Sequence, residues 1–168
     1  LSTIANVMPA PPMPFLPPDV HGKMVILGML AFTGPDAEAQ LALAPFRALA
    51  KPYADFVKPG SYLQMYPPED PNYRPTAAVR SLFMDRIGHA EATTMLDTLN
   101  ASDAAFKAVQ IRVLGGAYAR VPVETTAYAH RKAPIMVNVI AFYTTPEDRT
   151  ALHRVCLRLF RMPPVAAG

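Results

Sequence analysis

The sequence predicts an α+β domain in which an antiparallel sheet carries helices packed on one face. Three observations carry that expectation. Short runs of alternating apolar residues read as strands, helix-like apolar spacing recurs between several of them, and the prolines gather into connections. With 168 residues the chain is long enough for one sizeable core and suits a single domain. Hydrophobic residues make up 51% and charged residues 17%, the balance of a folded chain and not of a disordered one.

The first strand spans residues 1–8. The proline cluster from Pro9 to Pro18 follows, and two readings fit it: a polyproline ligand for an aromatic groove, or a stiff connection to a second strand at 23–32. In the second reading Met13, Phe15 and Leu16 cover a sheet edge. The turn Thr33-Gly34-Pro35-Asp36 then starts a helix over 37–50, which Pro45 should kink or restart because it has no backbone donor. A strand at 76–85 precedes a helix at 90–99, with Ala92, Met95, Leu96 and Leu99 on one face. Residues 105–114 and 117–121 read as strands separated by Gly115-Gly116, and 135–143 as the last strand. The last helix, 146–160, is the best-signalled element. Thr145 is its N-cap, Pro146 its first residue, Glu147 and Asp148 lie in its first turn, and Leu152, Val155, Cys156, Leu159 and Phe160 form its apolar stripe. Arg154, Arg158 and Arg161 lie opposite that stripe, as on a solvated face.

Several function classes fall away on composition. The net charge is +3, but Lys and Arg are scattered and do not interleave with aromatics as a nucleic-acid surface requires. Cys156 is the single cysteine, which excludes an internal disulfide and is compatible with a reducing compartment. No apolar run approaches the roughly 18 residues of a membrane span, and no signal peptide opens the chain, so a soluble, cytoplasmic chain with no membrane partner is expected. His21, His89, His130 and His153 have no metal-ligand spacing, and no nucleophile elbow, phosphate loop or acid–base carboxylate pair is present. Leu1 falls inside a strand and the chain stops at Gly168 without a closing element. The expectation is one domain over 1–168, cut at both ends from something longer.

Strand alternation separates two sheet faces. Val109, Ile111 and Val113 oppose Gln110 and Arg112; Val137, Val139 and Ala141 oppose Met136, Asn138 and Ile140. The second face carries Gln110, Arg112 and Asn138, with Arg80 as a further candidate. Such a face is either solvated or lines a ligand pocket or domain interface. Tyr118, after the Gly pair, and His130-Arg131 stand near it in sequence. Each has a structural reading, packing for the tyrosine and hydrogen bonding for the histidine, beside a catalytic one.

The stretch VQIRVLGGAYARVP at 109–122, followed by TAYAHR at 126–131, resembles the FAD-linked oxidases related to berberine bridge enzyme and 6-hydroxynicotine oxidase. LAPFRAL at 43–49 and KPGSY at 58–62 are similar to further blocks of that family, in the same order. All four blocks lie in the family's substrate-binding, C-terminal domain, and the resemblance spans nearly the whole chain. It implies a sheet whose open face covers the isoalloxazine ring of FAD, with a small-molecule substrate held between them and hydride passing from substrate to FAD. Gln110, Arg112, Asn138 and Arg131 become substrate-binding candidates, and Tyr118 and His130 candidates for catalysis. It also implies that the FAD-binding domain has no counterpart in these residues, that FAD belongs to the parent family and is not bound by this chain alone, and that the family's Tyr-x-Asn motif would follow Gly168.

Three readings follow. The first is the substrate-side domain of an FAD-dependent oxidoreductase, inactive alone and partnered by a flavin-binding domain. The second is a binding or scaffold domain that self-associates through its open sheet face. The third is a cofactor-independent enzyme on a dimeric α+β sheet, with His130 or Tyr118 as general base.

Overall fold

A computed structural model describes residues 1–65, 76–104 and 106–143. Its centre is a five-stranded antiparallel sheet in the order β2-β1-β4-β5-β3, formed by β1 (Ser2–Pro9), β2 (Met24–Ala31), β3 (Thr76–Met84), β4 (Phe106–Val113) and β5 (Ile135–Tyr143). The helices are α1 (Asp36–Arg47), α2 (His89–Ala101) and the one-turn α3 (Ala117–Arg120). This is the α+β architecture expected. The last helix expected from sequence, at 146–160, lies outside the described residues, and so does residue 105 of the strand expected at 105–114.

β1 and β2 form a hairpin, closed beyond its last ladder pair by Ala10 N–H to Lys23 O and Gly22 N–H to Ala10 O. The proline cluster is the connection of that hairpin. Val20 is buried within it, while Met13 and Phe15 stay exposed and Phe15 meets Phe56 edge to face at 4.9 Å. The chain then crosses from one sheet edge to the other. α1 runs through Pro45 and stops at Arg47 instead of restarting, because a proline in the final turn removes one backbone bond and leaves little helix beyond it.

α2 covers one sheet face. Its Met95 and Leu99 pack with Met84, Val109, Val137, Val139 and Ala141 in the core. Val109, Val137 and Leu99 are almost wholly removed from water. Each such side chain is worth about 1.5–3 kcal/mol, so this layer holds the sheet flat against the helix. Thr98 and not Leu96 joins the buried stripe; Leu96 is exposed, and the Thr98 hydroxyl is satisfied by Thr94 O at 2.7 Å. The Glu91 carboxylate accepts the Gly88 N–H at the start of α2, and Lys107 Nζ reaches Ser102 O just past its end.

Of residues 117–121, expected as a strand, Ala117–Arg120 fold as α3 and Val121 is the extended residue that ends it. Gly116 (φ 56°) turns the chain in a conformation that side chains oppose, and Tyr118 N–H and Arg120 N–H bond back to Gly115 O and Gly116 O. With its donors satisfied locally, this stretch has no ladder to join. No described helix is long and apolar enough to cross a membrane.

Candidate functional site

The face away from α2 is organised by register. In an antiparallel ladder, residues directly opposite share a face. Asn6 pairs with Gln110, Gln110 with Asn138, and Asn138 with Ser81, so four polar side chains from β1, β4, β5 and β3 fall in one line across the sheet. They bond hand to hand. Ser81 Oγ donates to Asn138 Oδ1 at 2.7 Å, Asn138 Nδ2 to Gln110 Oε1 at 3.2 Å, and Gln110 Nε2 to Asn6 Oδ1 at 2.9 Å. Asn6 Nδ2 ends the row on Leu27 O at 3.4 Å. Asn6 and Asn138 are each 8% exposed, and burial this deep is tolerable because the row gives the oxygen and the nitrogen of both amides a partner.

A second line runs two residues along, through Ile4, Arg112, Met136 and Phe83. Arg112 Nε donates to Gln110 Oε1 at 2.7 Å, which fixes the guanidinium against the polar row. At the far end of the line the His130 ring stacks on Phe83, centroids 3.9 Å apart and planes 10° from parallel. Arg112 and Phe83 stand on strands two positions apart, so this floor is roughly 10 Å wide.

The β4–β5 connection builds a wall at the Phe83 end. Tyr128 meets Phe83, His130 and Tyr118 edge on, with centroids 6.4, 5.7 and 5.6 Å apart. The Arg131 guanidinium lies 5.2 Å from the Tyr118 ring centre and 5.1 Å from that of Tyr128, and donates to Thr126 Oγ1 at 3.0 Å. Its Nε is buried without a hydrogen-bond partner among the described residues. The Tyr118 hydroxyl donates to His130 O at 2.8 Å. Loss of solvation, then a hydrogen bond with the Tyr128 phenol, pushes the Tyr118 hydroxyl up to about 12. A phenol held protonated on a backbone carbonyl fastens the loop.

The structure therefore brings Gln110, Arg112 and Asn138 together on the floor, and Tyr118, His130 and Arg131 together in the wall. Arg80 does not join them. It pairs with Val139 and so stands on the α2 side of the sheet, exposed, with Nη1 on Val79 O. Ser81 takes the place next to Asn138. Sequence reasoning missed Ser81 and Asn6; Asn6, between Ala5 and Val7 in an apolar strand, carried a visible signal, whereas Ser81 is recognisable only from its pairing. Among the described residues no group of three His, Cys, Asp or Glu side chains is placed to hold a metal ion. The arrangement presents hydrogen-bond donors and two held cations, Arg112 on the floor and Arg131 beside the aromatic rings, which is the chemistry of a binding surface.

No protein-family model matches the chain, and no curated protein matches it by sequence. Its fold is that of one part of the flavin oxidases related to berberine bridge enzyme. A glycopeptide hexose oxidase solved with teicoplanin superimposes with a TM-score of 0.65 at 21% identity, over 94% of this chain and 32% of that one. A berberine bridge enzyme variant gives 0.62 at 15% identity over 97% and 35%, and a flavoenzyme of caerulomycin biosynthesis gives 0.60 at 16% over 95% and 33%. The chain thus spans about a third of the length of these relatives in fold.

Proposed function

We propose that this chain is the substrate-side domain of an FAD-dependent oxidoreductase, with the face away from α2 turned toward the flavin and the substrate. One observation carries the reading: nearly the whole chain shares its fold with a third of several flavin oxidases, and the face left free by α2 bears an ordered polar row. Gln110, Asn138 and Arg112 bind and orient a small organic substrate on the floor, and Arg131, held between two tyrosine rings, keeps the wall in place. Tyr118 and His130 shape that wall, with His130 presenting its free ring face beside the floor.

The residues present fit the isoalloxazine end of FAD and not its phosphates. Spare amide N–H groups along the row suit the ring's carbonyl and nitrogen acceptors, whereas no Gly-rich phosphate loop occurs in the sequence. FAD, when bound, supplies the hydride acceptor. The chain alone is accordingly an incomplete enzyme that retains no flavin, and its natural partner is a flavin-binding domain. The test is made in a flavin-loaded protein containing these residues. Gln110→Ala should slow substrate-driven flavin bleaching by about tenfold or more, the worth of one to two hydrogen bonds, without loss of bound FAD. Unchanged bleaching would remove the polar row from the substrate site, and a yellow, flavin-retaining preparation of the chain by itself would refute the claim of incompleteness.

A self-associating domain is the second reading. It is favoured by the middle of the edge strand β2, where Ile26, Leu27 and Met29 are exposed at 72%, 47% and 38% and point to both sides of the sheet.

A further inference from the structure

The polar row and Arg112 differ in what they leave unused. Among the described residues, each amide NH2 of Asn6, Gln110 and Asn138 spends one hydrogen along the row and keeps the other, and Arg112 spends only its Nε–H and keeps both terminal nitrogens. The acceptors are more nearly consumed. Gln110 Oε1 already takes two donors, and Asn138 Oδ1 and Asn6 Oδ1 take one each. The floor is rich in donors.

Charge points the same way. Among the described residues the ion pairs are Lys23–Asp19 and Arg47–Asp55, and no carboxylate lies within ion-pair distance of Arg112 or Arg131. Arg112 is half-buried, flanked across the sheet by Ile4 and Met136, so its charge is neither fully hydrated nor neutralised. Holding Nε on Gln110 Oε1 leaves the two terminal N–H groups as a preset fork, the geometry that takes a carboxylate end on.

We propose that Arg112 is the subsite for an anionic oxygen of the substrate, foremost a carboxylate, on a molecule about one ring wide that spans the floor from Arg112 to His130. This rests on the reading that the face away from α2 binds substrate. The ring lies over Met136 and Asn138, and the His130 wall closes the far side.

The test uses the intact chain and three probes of one shape: benzoate, benzamide and benzyl alcohol, titrated by amide NMR. Benzoate should move the signals of Arg112, Gln110 and Asn138, and bind about tenfold or more tighter than either neutral probe, with the preference shrinking as salt is added. Arg112→Gln should abolish the preference and Arg112→Lys keep part of it. Met136→Glu places a carboxylate directly across from Arg112 and should displace benzoate while leaving the amide spectrum otherwise folded. Equal binding of benzoate and benzamide at these residues overturns the anion subsite and leaves the substrate-face reading standing. Benzoate binding that survives Arg112→Gln or Met136→Glu overturns the subsite too. If no probe moves the polar-face signals, the substrate-face reading falls and takes the subsite with it.

Discussion

Replacing Asn138 by alanine asks whether the polar row is one connected unit. Asn138 takes the Ser81 hydroxyl at 2.7 Å and gives an N–H to Gln110 at 3.2 Å, so truncation deletes two hydrogen bonds from a residue that is 8% exposed. The stranded partners fare differently from orphaned core groups. Ser81 is exposed and turns to water, and Gln110 Oε1 keeps Arg112 Nε at 2.7 Å. The loss therefore follows the net value of a protein hydrogen bond, about 0.5–1.5 kcal/mol each and about 1–3 kcal/mol for the pair, instead of the larger penalty for a dry unsatisfied group. At about 2–4 °C per kcal/mol for a chain of this size, Tm by circular dichroism should fall by roughly 2–12 °C. Gln110→Ala deletes three bonds, to Asn6, Arg112 and Asn138, and strands the buried Asn6 Oδ1, so it should cost more, and the double variant should lose less than the sum, because each single change already breaks the shared bond. An unchanged Tm for Asn138→Ala, or strict additivity in the double variant, would refute the row as a unit.

Two further outcomes are expected. Gly116→Ala should cost about 1–3 kcal/mol in a denaturant titration, since φ is 56° there with nothing crowding the added methyl, so the loss is purely backbone strain. Gly115→Ala, equally open and not in that conformation, should be near neutral, and equal losses at both would contradict the assigned turn. The Tyr118 pKa, raised from 10.0 to about 12, means the fold favours the neutral phenol. The stability this brings is present below about pH 10, where the unfolded chain is also neutral, and is lost as pH rises toward 12. A phenolate absorbance titration should show a phase near pH 12, and Tyr118→Phe should remove it.

How much of this was legible in the sequence depended on whether the information was local. Val109, Ile111 and Val113 against Gln110 and Arg112, and Val137 and Val139 against Asn138, alternate cleanly, so these strands and their faces follow from side-chain period alone. β3 is different. Ala78, Arg80, Leu82 and Met84 on one side, and Val79, Ser81 and Phe83 on the other, both mix apolar and polar residues, so its phase is set only by pairing with β5, and that pairing puts the further candidate Arg80 on the α2 side. Asn6 and Gln110 are 104 residues apart, and nothing local announces their bond. Residues 117–121 are too short for periodicity to separate a strand from one helical turn, and Gly116 decides the matter. The TAYAHR stretch marked Tyr128, His130 and Arg131 as a group, but the stacking of His130 on Phe83 depends on how the β4–β5 connection folds back over the sheet.

That connection has a consequence for how the surface can be inherited. Gln110 and Asn138 lie 28 residues apart, and Arg112, Tyr118, Tyr128, His130 and Arg131 all fall between them. The wall and the central part of the floor are thus encoded by one uninterrupted stretch, bounded by two adjacent strands whose other faces belong to the core. A crossover at its two ends would exchange Arg112 and the whole wall in a single event, while Val109 and Val139 stay in place beneath Met95 and Leu99. Residues outside the stretch, Asn6 and Ser81 among them, act as a fixed socket into which such cassettes fit.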